Sequence, residues 1–146
     1  MIRQTGRICV SRNDAARLRA LLQSSKGSVG GVTAQYQGVL ESELCRARVL
    51  PAERVPDDVI GLGSAVEITD IDTGSAMKII IVVPERSTGN GRVSVLSPLG
   101  MALFGYRRGD AIEWGPVSRL LRYRIDDVRR NNKRRRELIA GQGEAT

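Results

Sequence analysis

The hydrophobic periodicity of this sequence changes near its middle, and that change restricts the fold more than any other feature. Before Pro51, apolar residues recur at intervals of three and four, which is the spacing of one helix face. From Ala65 onward they form short runs rich in β-branched residues, which favour strands. The sequence therefore predicts an α+β protein, with helices first and a sheet second.

Two helices are predicted in the first part of the chain. Ser11 can cap the first helix, and the glycine- and serine-rich residues 24–31 end it. Thr33 can cap the second, and Pro51 stops it. Helices joined by so short a turn predict an antiparallel helical hairpin, a short coiled coil, over residues 11–50. The apolar stripes comprise Ala15, Leu18, Leu21 and Leu22 in the first helix and Tyr36, Leu40, Leu44 and Ala47 in the second.

A small, mostly antiparallel sheet is predicted in the second part. The strand-like runs are residues 66–71, 76–83, 93–96, 111–114 and 119–128. "DTGS" separates the first two runs and predicts a β-hairpin. Ser97 can cap a short helix that Pro98 begins and Gly105 ends, with Leu99, Ala102 and Leu103 toward the sheet and Met101 or Phe104 nearer its margin.

The predicted domain organisation has three parts. Residues 1–50 form the helical hairpin, and residues 51–128 form the sheet domain. Residues 129–146 form a basic, disordered tail. The proline-, glycine- and acid-rich residues 51–64 are interpreted as a linker that leads into the sheet domain.

The composition excludes several classes of function. The chain has no histidine, which removes the usual general base near neutral pH and every Ser-His or Cys-His catalytic arrangement. Its two cysteines, Cys9 and Cys45, are expected to be buried reduced thiols rather than a disulfide or metal site. With no apolar run of membrane-span or signal-peptide length, the expected location is the cytoplasm.

Positive charge is concentrated near the end of the chain. The net charge is +7, and residues 119–136 include nine arginines and lysines. Such a segment attracts nucleic acid or an acidic protein surface, although a solvated tail has the same composition. The candidate nucleic-acid contacts are Arg129, Arg130, Lys133, Arg134, Arg135 and Arg136.

Acidic motifs offer two alternative interpretations. The stretch "IDTGSA", residues 71–76, is similar to the active-site signature of aspartic proteases, with Asp72 as the catalytic carboxylate of a small dimeric enzyme. The same residues also suit a hairpin turn, because Asp caps turns and Gly adopts positive φ. Acidic pairs at residues 57–58 and at Asp70 with Asp72 could hold a divalent metal, but such pairs are more often turns or surface.

Two longer stretches carry a family resemblance. "DIDTGSAMKIIIVVPE" followed by "GRVSVLSPLGMALFGYRRGDAIEW" resembles the C-terminal domain of the Gre family of bacterial transcript-cleavage factors. The resemblance implies an FKBP-like antiparallel β-sheet domain with a short helix, which docks on RNA polymerase near its secondary channel. It also implies that Leu96, Ser97 and Pro98 touch the rim helices of the largest polymerase subunit. The aromatic content of 3% argues against the prolyl isomerase activity that an FKBP-like fold suggests.

The predicted hairpin tip departs from the Gre pattern. Gre-assisted cleavage requires acidic residues at the tip of a long coiled coil, where they hold a catalytic metal and water. Here the hairpin is short, and residues 24–31 contain no Asp or Glu and only one charge, Lys26. A tip without carboxylates cannot supply oxygen ligands to a metal. The sequence therefore predicts a non-catalytic transcription regulator without cofactor or metal, which competes with Gre-type factors for RNA polymerase.

Overall fold

A computed structural model describes residues 8–25, 32–115, 118 and 120–130. In chain order the elements are β1 (Cys9–Ser11), α1 (Arg12–Ser25), α2 (Val32–Arg46), β2 (Arg48–Leu50), β3 (Ala65–Asp70), β4 (Ala76–Val82), β5 (Arg92–Ser94), α3 (Pro98–Leu103), β6 (Ala111–Trp114) and β7 (Leu121–Arg129). Single 3-10 turns cover Ala52–Arg54 and Pro84–Arg86. The prediction of a mixed helix and sheet protein is confirmed.

The two long helices lie where the periodicity placed them, but their ends differ. The Ser11 hydroxyl accepts a hydrogen bond from the Asp14 amide at 3.1 Å, so the predicted cap of α1 is confirmed. Helix α2 begins at Val32, which places Thr33 inside its first turn and makes the predicted Thr33 cap wrong. The antiparallel hairpin stays a prediction, since its turn at residues 26–31 lies outside the described residues.

A two-stranded parallel sheet flanks the helices. β1 precedes α1 and β2 follows α2, and the two strands pair with Cys9 opposite Arg48. Helix α2 therefore ends at Arg46, before Pro51, because residues 48–50 are extended and bonded to β1. The sequence carries no indication of β2, because three residues are too few to show a period.

The five-stranded sheet has the order β5-β4-β3-β7-β6. β3 and β4 form the predicted antiparallel hairpin, whereas β4 and β5 pair in parallel. A β-bulge in β7 leaves Asp126 with no residue of β3 opposite it in the register, because Asp127 lies opposite Glu67 and Ile125 lies opposite Ile68. The extra residue reverses the alternation of the strand, so Val128 is buried on the same side as Ile125.

The helices and the five-stranded sheet share one hydrophobic core. Leu18 of α1, Leu40 of α2 and Ile68 of β3 are fully buried members of the same cluster. The segment predicted as a linker is part of it: Ile60 is fully buried, and its amide donates to the Tyr106 carbonyl at 2.8 Å. The linker interpretation is therefore wrong, because the apolar residues between the prolines and glycines pack inward.

Two smaller expectations concern the cysteines and the tail. Both thiols are free, but Cys9 is only partly buried and Cys45 is exposed, so the expected burial is wrong. Cys45 follows the buried Leu44 on α2 and lies on the outward side of that helix. The disordered tail was predicted over residues 129–146. β7 extends to Arg129, so the predicted start of the tail is wrong there, and residues 131–146 lie outside the described part of the chain. None of the helices described has the length and apolar character needed to span a membrane.

Candidate functional site

The predicted contact residues 96–98, here called the docking loop, connect β5 to α3. Val95, immediately before the loop, is fully buried, and its amide donates to the Val82 carbonyl of β4 at 2.7 Å. The Leu96 amide donates to the Ser94 hydroxyl at 3.1 Å. The entrance of the loop is therefore anchored both in the core and on the neighbouring strand.

Ser97 fixes the exit of the docking loop. Its hydroxyl accepts the Gly100 amide at 3.1 Å and donates to the Ser94 carbonyl at 2.7 Å. Pro98 occupies the first helical position, where its missing N–H leaves no bond unmade. Gly105 takes φ +85° just after the helix. The three predictions for this segment, a Ser97 cap, a Pro98 start and a Gly105 end, are confirmed.

Gly100 brings α3 unusually close to the end of β5. A Cβ atom at this position would lie 2.1 Å from the Ser94 carbonyl oxygen, which is backbone and cannot rotate away. Only glycine permits this approach, as is usual where two backbones meet closely. The docking loop is therefore held by a backbone contact as well as by the Ser97 cap.

The burial of α3 differs from the prediction. Met101 and Phe104, expected near the margin, are 1% and 0% exposed, whereas Leu99, expected to face the sheet, is only partly buried. The reason is that α3 contacts α2 as well as β5 and β6, so a helix of six residues is buried on more than one side. Leu99 is left at the surface beside Leu96 and Pro98, which are also partly exposed.

The predicted nucleic-acid contacts are only partly within the described residues. The Arg129 Nε donates to the Asp127 carboxylate at 3.3 Å, and the Arg129 side chain is 83% exposed. The Arg130 Nη1 donates to the carbonyl oxygens of Ala52 at 3.3 Å and Val55 at 2.9 Å, so this side chain has a structural role. Lys133, Arg134, Arg135 and Arg136 lie beyond the last described residue.

The "DTGS" segment forms the turn between β3 and β4. The Asp70 Oδ1 accepts the amides of Asp72 at 2.9 Å and Thr73 at 3.2 Å, and Gly74 has φ +77°. The Asp72 carboxylate accepts a bond from the Arg122 Nη2 at 2.7 Å, which raises the pKa of Arg122. An exposed carboxylate paired with an arginine is unlike the two carboxylates that share a proton in aspartic proteases. The hairpin-turn interpretation is therefore the one that this geometry supports.

No metal centre is formed by the residues that the structure describes. Across residues 8–25, 32–115, 118 and 120–130, no three or more Asp, Glu, Cys or His side chains are grouped closely enough to hold an ion. Of the acidic pairs considered as ligands, Asp58 lies 3.3 Å from the Arg107 guanidinium and Asp72 binds Arg122.

A basic groove lies beside the start of α1, at one end of the five-stranded sheet. Its volume is about 840 Å³. The arginines that line this arginine groove are Arg17, Arg86, Arg92, Arg129 and Arg130. Sequence reasoning identified only the last two, since the other three are scattered over the chain and form no charge run. The one sequence feature that pointed to the groove was the alternation of inward and outward residues along the strands, because Arg92 and Arg129 are both exposed strand residues.

Comparison with known proteins agrees with the fold. Residues 55–130 match the family model "Transcription elongation factor, GreA/GreB, C-term". The regulator of nucleoside diphosphate kinase (Rnk) of Escherichia coli K12 is 32% identical over 108 residues, which are 73% of this chain and 76% of that protein.

Two further relatives are elongation factors. Transcription elongation factor GreA of Clostridium kluyveri is 34% identical over 92 residues, which span 62% of this chain but only 58% of that protein. A prokaryotic transcription elongation factor GreA/GreB from Nitrosomonas europaea superposes with a TM-score of 0.68 at 32% identity, covering 86% of this chain and 99% of that structure. The matched residues contain the docking loop and the whole five-stranded sheet, and the chain belongs to the GreA/GreB family of transcription elongation factors.

Proposed function

We propose that this protein is a non-catalytic transcription regulator that binds RNA polymerase through the docking loop, residues 96–98. The observation that carries the proposal is the family match over residues 55–130, which includes this loop. In the Gre resemblance the corresponding loop touches the rim helices of the largest polymerase subunit, beside the secondary channel. The resemblance also suggests that the sheet unit, residues 51–128, is FKBP-like and that residues 1–50 form a short coiled coil.

The loop has the physical properties of a small apolar docking point. Leu96, Pro98 and Leu99 each keep part of their apolar surface exposed. The Ser97 cap and the Gly100 contact hold the backbone beneath them. A loop that is already ordered loses little conformational entropy on binding, so a small apolar contact contributes more to affinity.

Binding without catalysis follows from the predicted hairpin tip. Residues 24–31 have no carboxylate to place near a metal in the polymerase active centre. A protein that occupies the docking surface without such a tip competes with longer coiled-coil factors and does not stimulate cleavage. A decrease in Gre-stimulated cleavage, caused by competition for the docking surface, is the outcome that this mechanism supports best.

The test is a binding assay between the full chain and immobilised bacterial core RNA polymerase. Leu96→Asp puts a charge into the apolar contact and is expected to weaken binding at least about tenfold, the effect of losing a hot-spot residue. Pro98→Ala removes apolar surface and is expected to weaken it less. Ile71→Asp is the matched control, since Ile71 is 45% exposed but lies at the β3–β4 turn.

Three results would contradict the proposal. They are an absence of wild-type binding, unchanged binding by both loop variants, and an equal loss in the Ile71→Asp control. Thermal unfolding of each variant identifies any loss that is due to misfolding. In a second assay the wild-type protein should displace a bound GreA, while Leu96→Asp should not.

A further inference from the structure

One row of side chains crosses four strands on the outer face of the sheet. Arg92 of β5 lies opposite Ile80 of β4, which lies opposite Ala65 of β3. Ala65 in turn lies opposite Arg129 of β7. Neighbouring strands are about 4.8 Å apart, so the two arginine Cα atoms are about 14 Å apart. The row thus carries a guanidinium at each end and small aliphatic residues between them.

Three more arginines line the same groove as this row of side chains. Arg17 comes from α1, Arg86 from the turn after β4 and Arg130 from the end of β7, and all three line the arginine groove. Arg86 and Arg92 are exposed, and neither is paired with any carboxylate of the described residues. Arg130 is held by the Ala52 and Val55 carbonyls, which fixes its charge in place.

The carboxylates near the groove do not neutralise it. Asp14 is the acidic residue among the described residues that line the groove, and its Oδ2 accepts the Leu62 amide at 3.1 Å. Glu85 is 4.0 Å from Arg17, a weak exposed pair, and Asp127 binds the Nε of Arg129. Five arginines outnumber these three carboxylates, so the described part of the groove has a positive charge that attracts a polyanion.

The lining of the groove indicates which part of a polyanion it would contact. Its apolar residues are the aliphatic Leu62, Ala65, Ile80, Val82 and Val83, with no aromatic ring. Bases are usually bound by stacking on aromatic side chains, whereas arginines bind phosphates in a bidentate manner. The groove therefore suits a phosphate backbone and does not suit base recognition.

The two sequence segments that adjoin the described ends of the chain do not complement the groove. Residues 1–7 contain two arginines and no acidic residue, and residues 131–136 contain four basic residues and no acidic one. Both segments would be repelled by the arginines. Neither segment is therefore a suitable occupant of the groove.

We propose that the arginine groove binds the sugar-phosphate backbone of a single-stranded nucleic acid, without sequence preference. Two arginines about 14 Å apart on one sheet face can each contact a phosphate of a single extended strand. The groove is separate from the docking loop, although β5 supplies Arg92 to the groove and leads into Leu96. Its function therefore does not depend on polymerase binding.

The test measures binding of the full chain to a labelled single-stranded RNA of about 12 nucleotides, a length typical of such sites. Fluorescence anisotropy is recorded from about 50 to 200 mM salt. A triple variant, Arg86→Gln, Arg92→Gln and Arg129→Gln, is expected to bind at least about tenfold more weakly at the lowest salt. Its log affinity against log salt should be shallower by about two, since each lost phosphate contact removes about 0.7 from the slope.

The matched control removes the same charge elsewhere. Arg19→Gln, Arg54→Gln and Arg108→Gln affect three exposed arginines outside the groove and should leave affinity and slope nearly unchanged. An equal loss in the control would overturn the proposal, because it would show a response to net charge alone. The proposal also fails if the groove variant binds like the wild type while replacing the four basic residues of 131–136 by Gln abolishes binding.

Competition experiments separate the sources of negative charge. Unlabelled single-stranded RNA or DNA should displace the probe. Displacement by ATP at matched phosphate concentration would assign the groove to free nucleotides, and equal displacement by polyglutamate would assign it to acidic protein. Equal affinity for a duplex of the same length would also contradict the single-strand assignment. Thermal unfolding confirms that both triple variants are folded before any comparison.

Discussion

Two short segments that change the direction of the chain each contain a serine and a glycine, but different contacts support them. "SPLG", residues 97–100, lies between the fully buried Val95 and Met101. "DTGS", residues 72–75, lies at the surface, where amide bonds to Asp70 and the exposed pair between Asp72 and Arg122 hold it. A turn that is fixed to the core can present a defined surface to a partner. A turn held only by its own hydrogen bonds mainly reverses the chain.

Glycine is required for a different structural reason in each turn. Gly100 is required because α3 approaches the Ser94 backbone, although its φ is that of an ordinary helix residue. Gly74 is required because its φ is +77°, although nothing lies within 4 Å of where its Cβ would be. Substituting alanine at each position therefore separates a steric contact from backbone strain.

The largest effect is expected from Gly100→Ala. The new methyl would overlap the Ser94 carbonyl, so α3 must move away from β5 and disturb the packing of Met101. Overpacking of this kind destabilises a core by about 3 kcal/mol. Urea unfolding followed by circular dichroism measures the change, and a loss below about 1 kcal/mol would show that α3 is not held by this contact.

Gly74→Ala should have a smaller effect. An alanine in the left-handed region costs about 1 to 2 kcal/mol, and here no neighbouring atom adds a steric term. The same urea titration measures it, and polymerase affinity should stay at the wild-type value. If Gly74→Ala reduces polymerase binding more than Gly100→Ala does, the β3–β4 turn, and not the docking loop, presents the surface that the polymerase binds.

Ser97→Ala tests the cap of α3 directly. It removes the bonds to the Gly100 amide and the Ser94 carbonyl, and loss of such a cap costs about 1 kcal/mol. Ser97→Thr keeps a hydroxyl and is the matched control. If the cap orders the docking loop, polymerase binding falls in the alanine variant and recovers in the threonine variant. Loss of stability with unchanged binding would limit Ser97 to a structural role.

Local sequence signals predicted elements whose cause is local. The Ser97 cap, the Pro98 start and the Gly105 end all follow from side-chain chemistry within a few residues, and all three are observed. The β3–β4 hairpin is predicted for the same reason, because its turn residues and its flanking strands adjoin in sequence.

Features that arise from distant contacts were not predicted. β2 forms because it pairs with β1, and the two helices separate these strands in the sequence. Phe104 is buried because α3 contacts α2 as well as the sheet. The arginine groove needs α1, β5 and β7 in one place, and no local pattern reports that arrangement. The docking loop came from a family resemblance, since the chemistry of residues 96–98 alone would not distinguish it from a helix cap.

The smallest expected effect is the pH dependence of the stability that Asp126 contributes on the sheet, which the Ser97 cap does not share. Asp126, on the same strand as Arg122, accepts hydrogen bonds from the Thr69 hydroxyl and from the Arg124 Nε, and these bonds lower the pKa of its carboxyl group. A carboxyl whose pKa is lower in the folded than in the unfolded state stabilises the fold above its unfolded pKa of about 3.9. That stability is lost as the pH falls through the folded-state pKa.

Asp126→Asn should therefore destabilise the protein slightly at pH 7, by less than about 1 kcal/mol for so exposed a group, and by progressively less below about pH 4. Urea titrations of both proteins between neutral and acidic pH measure the difference.

The Ser97 bonds involve no ionisable group, so the loss of stability caused by Ser97→Ala should be the same at every pH in that range. An Asp126→Asn difference that does not change with pH would show that the carboxylate acts through the shape of the bulge and not through its charge. A pH-dependent Ser97→Ala difference would show that the docking loop is coupled to the charged face of the sheet, and that its support is not confined to the core.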